Sequence, residues 1–386
     1  MENFIFQNPT KILFGQGMLD QLPGEIRTYG QRILMVYGQA SIKATGLYDR
    51  IKGLLDSADL QVWELSGISA NPRLDRVYEG IQICRDQAID LILAVGGGSV
   101  IDTSKAISAA VFHEGDFWQD LYLDGQSIDK SLPLATILTM PATGSEMNGI
   151  SVLVEPQDKI KFSYNHPLLH PKFSILEPDL TLTLPREQVI YGALDMMSHV
   201  FEQYFSPPDD DNLTDYLAEA ILRNIRINLD RALEDLSDYQ SRSNLVWCAT
   251  MAYNGLLRNG KKGDFQAHRM EYALSGTFDI PHGAGMAILH PNLLFYIRKE
   301  AQAKLARCAV NVWDVPKDNK TEAELALACV KAIRDYFKAI GAPTRLADME
   351  IPADRIEEVA AKVDLIRTGY RPLEYEDVLE ILRLSI

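Results

Sequence analysis

The sequence predicts a two-part chain. Residues 1–184 form an α/β region, a parallel sheet with helices on both faces, and residues 185–386 form an all-helical region. Three observations carry this. Up to about residue 184, short apolar runs alternate with segments of helical spacing, the pattern of parallel strands joined by crossover helices. From Pro185 onward nearly every segment has a helical period. One apolar run, 88–95, opens directly on Gly96-Gly97-Gly98-Ser99, which reads as a turn from strand to helix.

The elements follow in order. Residues 32–37, Arg-Ile-Leu-Met-Val-Tyr, are an apolar run closed by Gly38, and 42–58 has helical spacing. Residues 61–65 read as a strand. Asn71-Pro72 opens a loop, and 73–87 reads as a helix. Another strand is expected at 134–139. A β-rich stretch covers about 150–176, including 150–154 and 173–176. Thr183, Pro185 and Glu187 make a helix start, and Ser206-Pro-Pro-Asp-Asp-Asp-Asn212 separates two helices. A cleft between the two regions is the expected ligand site.

Composition bounds the partners. A chain of 386 residues favours two domains, and 47% hydrophobic residues supply a sizeable core. The net charge of -15 argues against nucleic acid and anionic membranes. Cys84, Cys248, Cys308 and Cys329 have no C-x-x-C spacing and lie in apolar helical contexts, so buried free thiols are expected. The first residues lack a basic stretch followed by an apolar run, so no secretory signal is expected. No apolar stretch approaches the roughly 20 residues that span a bilayer. The expected location is cytoplasmic.

Four residues point to a metal. Asp195 and His199 are at i and i+4, on one helix face one turn apart. His268 and His282 are 14 residues apart, about 21 Å on one straight helix. A break near 276–281 would fold the chain back and let both reach one point. One carboxylate and three imidazoles complete a ligand shell for a divalent transition metal. His113, His166, His170 and His290 read as hydrogen-bonded structural residues.

The second signal is Gly96-Gly97-Gly98-Ser99. Glycines let a backbone approach a pyrophosphate, and a helix N-terminus supplies free N–H groups. The turn at 141–146, Pro-Ala-Thr-Gly-Ser-Glu, adds small hydroxylated residues. A metal and a phosphate-cradling turn together point to a metal-assisted nicotinamide dehydrogenase.

At these residues the chain resembles the iron-containing (group III) alcohol dehydrogenases, most of all their NADPH-dependent butanol dehydrogenase and broad aldehyde reductase branch. The matching segments run almost end to end: 8–15 (Asn-Pro-Thr-Lys-Ile-Leu-Phe-Gly), 96–105, 141–148, Asp195-x-x-x-His199, His268-Arg-Met-Glu271, Pro281-His-Gly283 and 372–377. The resemblance implies a dinucleotide-binding α/β domain followed by a helical domain, in a dehydroquinate synthase-like architecture, usually as a homodimer or larger. It implies one divalent metal, Fe²⁺ or Zn²⁺, on Asp195, His199, His268 and His282, through which these residues act in catalysis. It places the cofactor diphosphate at Gly96, Gly97, Gly98 and Ser99, with Asp102 in the same motif. Thr143 and Ser145 would lie along the nucleotide, and Lys161 at the nicotinamide ribose. Asn148 and Phe265 are candidate pocket walls.

The implied reaction is reversible hydride transfer between NADP(H) and a small primary alcohol or aldehyde of the butanol type. In this family the turn after the first strand meets the adenine ribose, where an Asp would accept the 2′-hydroxyl of NAD. Here the turn is Gly38-Gln-Ala-Ser41, with Lys43 nearby and no carboxylate, which favours NADP(H) over NAD(H). Many relatives carry another His four residues after the third ligand. This chain has Tyr272 there, which leaves water or a ribose hydroxyl to supply the proton. The rivals are an NAD-preferring member and a dehydroquinate synthase-like lyase. The lyase would need several basic residues near the ligands, where only Arg269 is seen.

Overall fold

The computed structural model describes residues 1–155 and 160–386. The chain folds as two compact units, one of Gln7–Leu184 with Leu236–Val246, the other of Met1–Phe6, Pro185–Asp235 and Trp247–Ile386. Two segments thus depart from a single division at residue 184. The first residues are fastened within the helical unit, where the Met1 ammonium pairs with Asp210 and the Glu2 N–H donates to the Gly260 carbonyl. Within the α/β unit, the fully buried Arg242 donates to the Thr181 carbonyl.

The α/β unit contains strands β1 (Lys11–Phe14), β2 (Arg32–Tyr37), β3 (Gln61–Leu65), β4 (Leu91–Gly97), β5 (Leu134–Met140), β6 (Ile150–Glu155), β7 (Ile160–Asn165) and β8 (Phe173–Leu176). Six of them form one sheet in the order β1-β8-β5-β4-β2-β3, every pair parallel. The edge strand β1 is an element the periodicity did not show; of its four residues only Leu13 is buried, whereas all four of the equally short β8 are. β6 and β7 pair antiparallel as a separate ribbon.

Its helices are α1 (Leu22–Ile26), α2 (Ser41–Ala44), α3 (Leu47–Asp56), α4 (Leu74–Asp86) and α5 (Gly98–Ala110). The helix expected over 42–58 is thus two, divided by Gly46 at φ +75°, a left-handed turn that glycine adopts without penalty. Alternate residues of the central strands serve two cores. Leu34, Val36, Ile92 and Ala94 pack with Val77 and Ile81 of α4 and Ile101 and Ile107 of α5. Ile33, Met35, Leu91 and Leu93 pack with Ile26 of α1 and Ile51 and Leu55 of α3. A parallel sheet covered on both faces needs such continuous apolar strands.

After residue 184 the elements are helical: α6 (Arg186–Tyr204), α7 (Leu213–Glu234), α8 (Tyr239–Ala252), α9 (Gln266–Phe278), α10 (His282–Tyr296), α11 (Gln302–Asn311), α12 (Glu322–Ala339), α13 (Ile356–Ala361) and α14 (Tyr375–Leu384). Thr183 does not cap α6; Pro185 is the N-cap and no side chain caps it. Asn212 caps α7 by accepting from the Asp215 N–H at 2.9 Å. Among the described residues no helix is long and apolar enough to cross a membrane. All four cysteines are buried and unpaired.

Candidate metal centre and nucleotide site

In the helical unit, α6 is buried from Gly192 to Tyr204, so Asp195 and His199 project from one face into a dry interior. His268 stands near the start of α9. That helix ends at Phe278 because Asp279 turns left-handed (φ +54°) and its N–H donates to the Ser275 carbonyl at 2.8 Å. Pro281 then precedes α10, which begins at His282. The return brings the rings of His268 and His282 to 5.2 Å. Gly283 permits this start: a Cβ there would lie 2.2 Å from the Tyr191 carbonyl oxygen.

Asp195 Oδ1 is the meeting point. It lies 3.4 Å from His199 Nε2, 3.3 Å from His282 Nε2 and 3.9 Å from His268 Nε2. Asp195 Oδ1 and the Nε2 atoms of His199 and His268 are buried with no hydrogen-bond partner among the described residues. Orphaned polar atoms are costly in a protein interior, and several facing one another are what a cation would satisfy. Ligands about 2.1 Å from one ion at tetrahedral angles lie about 3.4 Å apart, close to the spacings seen. Ligand atoms of Asp195, His268 and His282 all fall within 4.8 Å of one another. The donor set fits a divalent transition metal.

The electrostatics agree. Burial alone would raise the Asp195 pKa, but the three surrounding imidazoles together outweigh it and hold the carboxyl well below the usual range. Burial pushes His199 down to about 3. Burial also opposes charge on His268, yet Glu202 and Asp195 raise its pKa to about 10; the same field that favours a proton on its Nε2 favours a cation in the proton's place.

Two carboxylates were missed in the sequence. Glu202 accepts from the His268 backbone N–H at 3.0 Å and meets His268 Nδ1; Glu271 meets His282 Nδ1. Both are almost completely buried, at 1% and 0% exposure. The signal was present, because Glu202 is three residues after His199 and Glu271 three after His268, each continuing a ligand face. Each serves the histidine of another helix, which no local spacing announces.

In the α/β unit, the chain leaves β2 toward β3 on one side of the sheet and continues from β4 toward β5 on the other. The carboxyl ends of β2 and β4 are therefore the topological switch point, where open α/β sheets bind ligands. Gly38 follows β2, and Gly98 begins α5 directly after β4. No side chain caps α5, so its first N–H groups are available to an anion. All three glycines are also packed: a Cβ would meet Val100 Cγ2 at 2.5 Å from Gly96, Met140 Cβ at 3.0 Å from Gly97 and Thr143 Oγ1 at 2.7 Å from Gly98. Ser41 is exposed and lines a cavity of about 220 Å³ with Thr45, Arg50, Thr139, Asp179 and Thr183.

Ser99, half-buried, donates its hydroxyl to the Ala70 carbonyl. Two expected nucleotide residues, Asp102 and Ser145, are turned inward. Ser145 donates to Asp102 Oδ1 at 2.7 Å and accepts from Lys105 Nζ at 2.8 Å. The other Asp102 oxygen accepts from the Val152 N–H at 3.1 Å. Asp102, Ser145 and Asn148 are buried, so they act beneath the turns, supporting the backbone that would meet a ligand. Lys161, on β7, contributes positive charge toward Asp102. Phe265, left-handed at φ +66°, precedes α9 with its ring 6.2 Å from that of His268. The ring of Tyr272 is 6.3 Å from His268 and 6.1 Å from His282. The remaining histidines are structural: His113 pairs with Asp120 at 2.7 Å, His166 accepts from the Leu168 N–H, and burial holds His170 and His290 near 4.

A carboxylate–imidazole cluster on buried helices, and an uncapped helix at the switch point of a parallel sheet, are the marks of a metal-dependent dehydrogenase. Residues 9–178 match the iron-containing alcohol dehydrogenase family, and residues 189–386 match that family's C-terminal region. The chain belongs to the iron-containing alcohol dehydrogenase family and is an NAD(P)-dependent oxidoreductase of the alcohol dehydrogenase type. It is 42% identical over 388 residues to a probable NADH-dependent butanol dehydrogenase 1 of Bacillus subtilis, covering 100% of both chains. It is 34% identical to the NADPH-dependent aldehyde reductase YqhD of Escherichia coli, over 94% of this chain and 93% of that one. The crystal structure of an NADH-dependent butanol dehydrogenase A from Thermotoga maritima is similar, with a TM-score of 0.96 and 37% identity over 100% of this chain and 99% of that chain.

Proposed function

We propose that the protein transfers hydride reversibly between NADP(H) and a small primary alcohol or aldehyde of the butanol type, using one divalent ion, Fe²⁺ or Zn²⁺, held by Asp195, His199, His268 and His282. The observation that carries the reading is the convergence of His199, His268 and His282 Nε2 on Asp195 Oδ1, of which the His199, His268 and Asp195 atoms have no hydrogen-bond partner among the described residues. When bound, the cation supplies Lewis-acid polarisation of a carbonyl oxygen and the nicotinamide supplies the hydride. The chain's own residues bind and orient. Asp195 brings negative charge to the donor set. The stacked ring of Tyr253, 4.2 Å from His199, closes one side of the imidazoles. The backbone at Gly96–Gly98 and the start of α5 offers N–H groups to the diphosphate. The proton on the alcohol oxygen comes from water or a ribose hydroxyl.

NADP(H) is favoured by the exposed turn Gly38–Ser41, which offers a hydroxyl and no carboxylate. NAD(H) is the second reading, supported by the cofactor named for the Bacillus subtilis relative. Butanal-dependent loss of NADPH absorbance, faster than loss of NADH, abolished by a chelator and restored by Fe²⁺ or Zn²⁺, is the expected result. No turnover of either cofactor across several aldehydes and both metals would overturn the reading.

A further inference from the structure

The three imidazoles that converge on Asp195 are not held alike. His268 and His282 each direct Nδ1 at a buried carboxylate. A nitrogen facing a carboxylate carries the proton, which leaves the lone pair on Nε2, the atom turned toward Asp195. Glu202 is fixed further by the backbone N–H of His268. Glu271 is wedged against α10, where a Cβ at Gly285 would lie 2.8 Å from its Cγ. His199 differs. Among the described residues neither its Nδ1 nor its Nε2 has a hydrogen-bond partner. Its ring is held by stacking, between Tyr253 at 4.2 Å and 10° and His268 at 4.4 Å and 22°. Stacking fixes the plane of a ring and leaves the choice of protonated nitrogen open.

We infer that Glu202 and Glu271 are positioning residues that grade the metal ligands, making His268 and His282 the firm imidazoles and His199 the weakest. The inference rests on the metal assignment proposed above. Four firm protein ligands close a tetrahedral shell, whereas catalysis needs a position for substrate. A loosely held His199 supplies that position. The two glutamates also bring the buried carboxylates around the donor set to three, counting Asp195, which favours a cation over an empty site.

The test uses the full-length protein stripped of metal and titrated with Co²⁺ in competition with a chromophoric chelator, reading both the dissociation constant and the visible spectrum of the bound ion. Glu202→Gln and Glu271→Gln keep shape and remove charge. Each is expected to weaken Co²⁺ binding by about 10- to 100-fold and to shift the spectrum, while the melting temperature of the metal-free protein stays near wild type. Glu271→Asp is expected to recover part of the affinity. His199→Ala is expected to weaken binding less than His268→Ala or His282→Ala. Wild-type affinity and spectrum in both glutamine variants would overturn the inference, as would a His199→Ala loss equal to that of His268→Ala. If Glu202→Gln does not fold, Glu271→Gln decides alone. If wild type binds no Co²⁺, or Asp195→Asn binds it as tightly as wild type, the metal assignment itself fails and the inference falls with it.

Discussion

Gly98 and Thr143 are packed so closely that a Cβ on Gly98 would lie 2.7 Å from Thr143 Oγ1 and 2.8 Å from its Cγ2. The turn after β4 and the turn after β5 are therefore one surface, and any side chain at Gly98 must displace it.

Gly98→Ala is expected to weaken NADPH binding by about tenfold or more, which is about 1.4 kcal/mol. Metal content should stay at the wild-type level, because the four ligand candidates lie in the other unit. Nicotinamide fluorescence titration beside metal analysis checks this. Normal NADPH affinity would remove the β4–α5 turn from the cofactor site.

Lys105, on α5, supports the turn after β5 from below. Fully buried, its ammonium donates to Ser145 Oγ at 2.8 Å, Asn148 Oδ1 at 3.0 Å and the Ile150 carbonyl at 2.8 Å. Burial lowers its pKa to about 8 against the attraction of Asp102 and Glu146. Lys105→Met leaves three buried acceptors without their donor and should destabilise the fold by about 2–4 kcal/mol. Urea unfolding measures it; a loss below about 1 kcal/mol would contradict the network described.

Cofactor choice should be movable at the exposed turn after β2. Gln39→Asp places a carboxylate there, to accept a ribose 2′-hydroxyl and repel a 2′-phosphate. The ratio of kcat/KM for NADPH over NADH is expected to fall by about tenfold or more. An unchanged ratio would mean that the adenine ribose binds elsewhere.

Acid should destabilise the protein partly through His290. This ring is 1% exposed, packed edge-on 5.2 Å from Phe201, and burial lowers its pKa to about 4. The unfolded chain takes up this proton near 6.5, the folded chain only near 4. Between those values the unfolded state binds more protons, so stability falls as pH drops from about 6.5 to 4, and this contribution is flat above 6.5. The size is about 3 kcal/mol at most. His290→Leu should flatten the fall in melting temperature between pH 6.5 and 4.5; an unchanged slope would assign it to other groups.

Much of the site was legible because its spacing is local. Asp195 and His199 are one helical turn apart, and Gly96–Gly98 closes an apolar run of strand length. The break between His268 and His282 was marked by Gly276 and Pro281. The division of 42–58 at Gly46 was not read, since one glycine among helical spacing is compatible with a continuous helix. The inward turn of Asp102 and Ser145 was also not legible. A short polar side chain beside a glycine-rich turn has the same sequence whether it faces a ligand or a buried lysine.

By itself the sequence determined the alternation that makes a parallel sheet, the helical period after Pro185 and the Asp195/His199 pair, through periodicities of a few residues that backbone geometry imposes, and it offered His268 and His282 on either side of a marked break. Only the tertiary structure decided that Glu202 supports His268, 66 residues away, that Glu271 supports His282, that His199 has no such support among the described residues, and that Lys105 of α5 holds the turn after β5 through Ser145, 40 residues away. Those choices depend on which helix faces pack against one another. Packing is set by the summed burial of many side chains, and no short spacing in the chain records it.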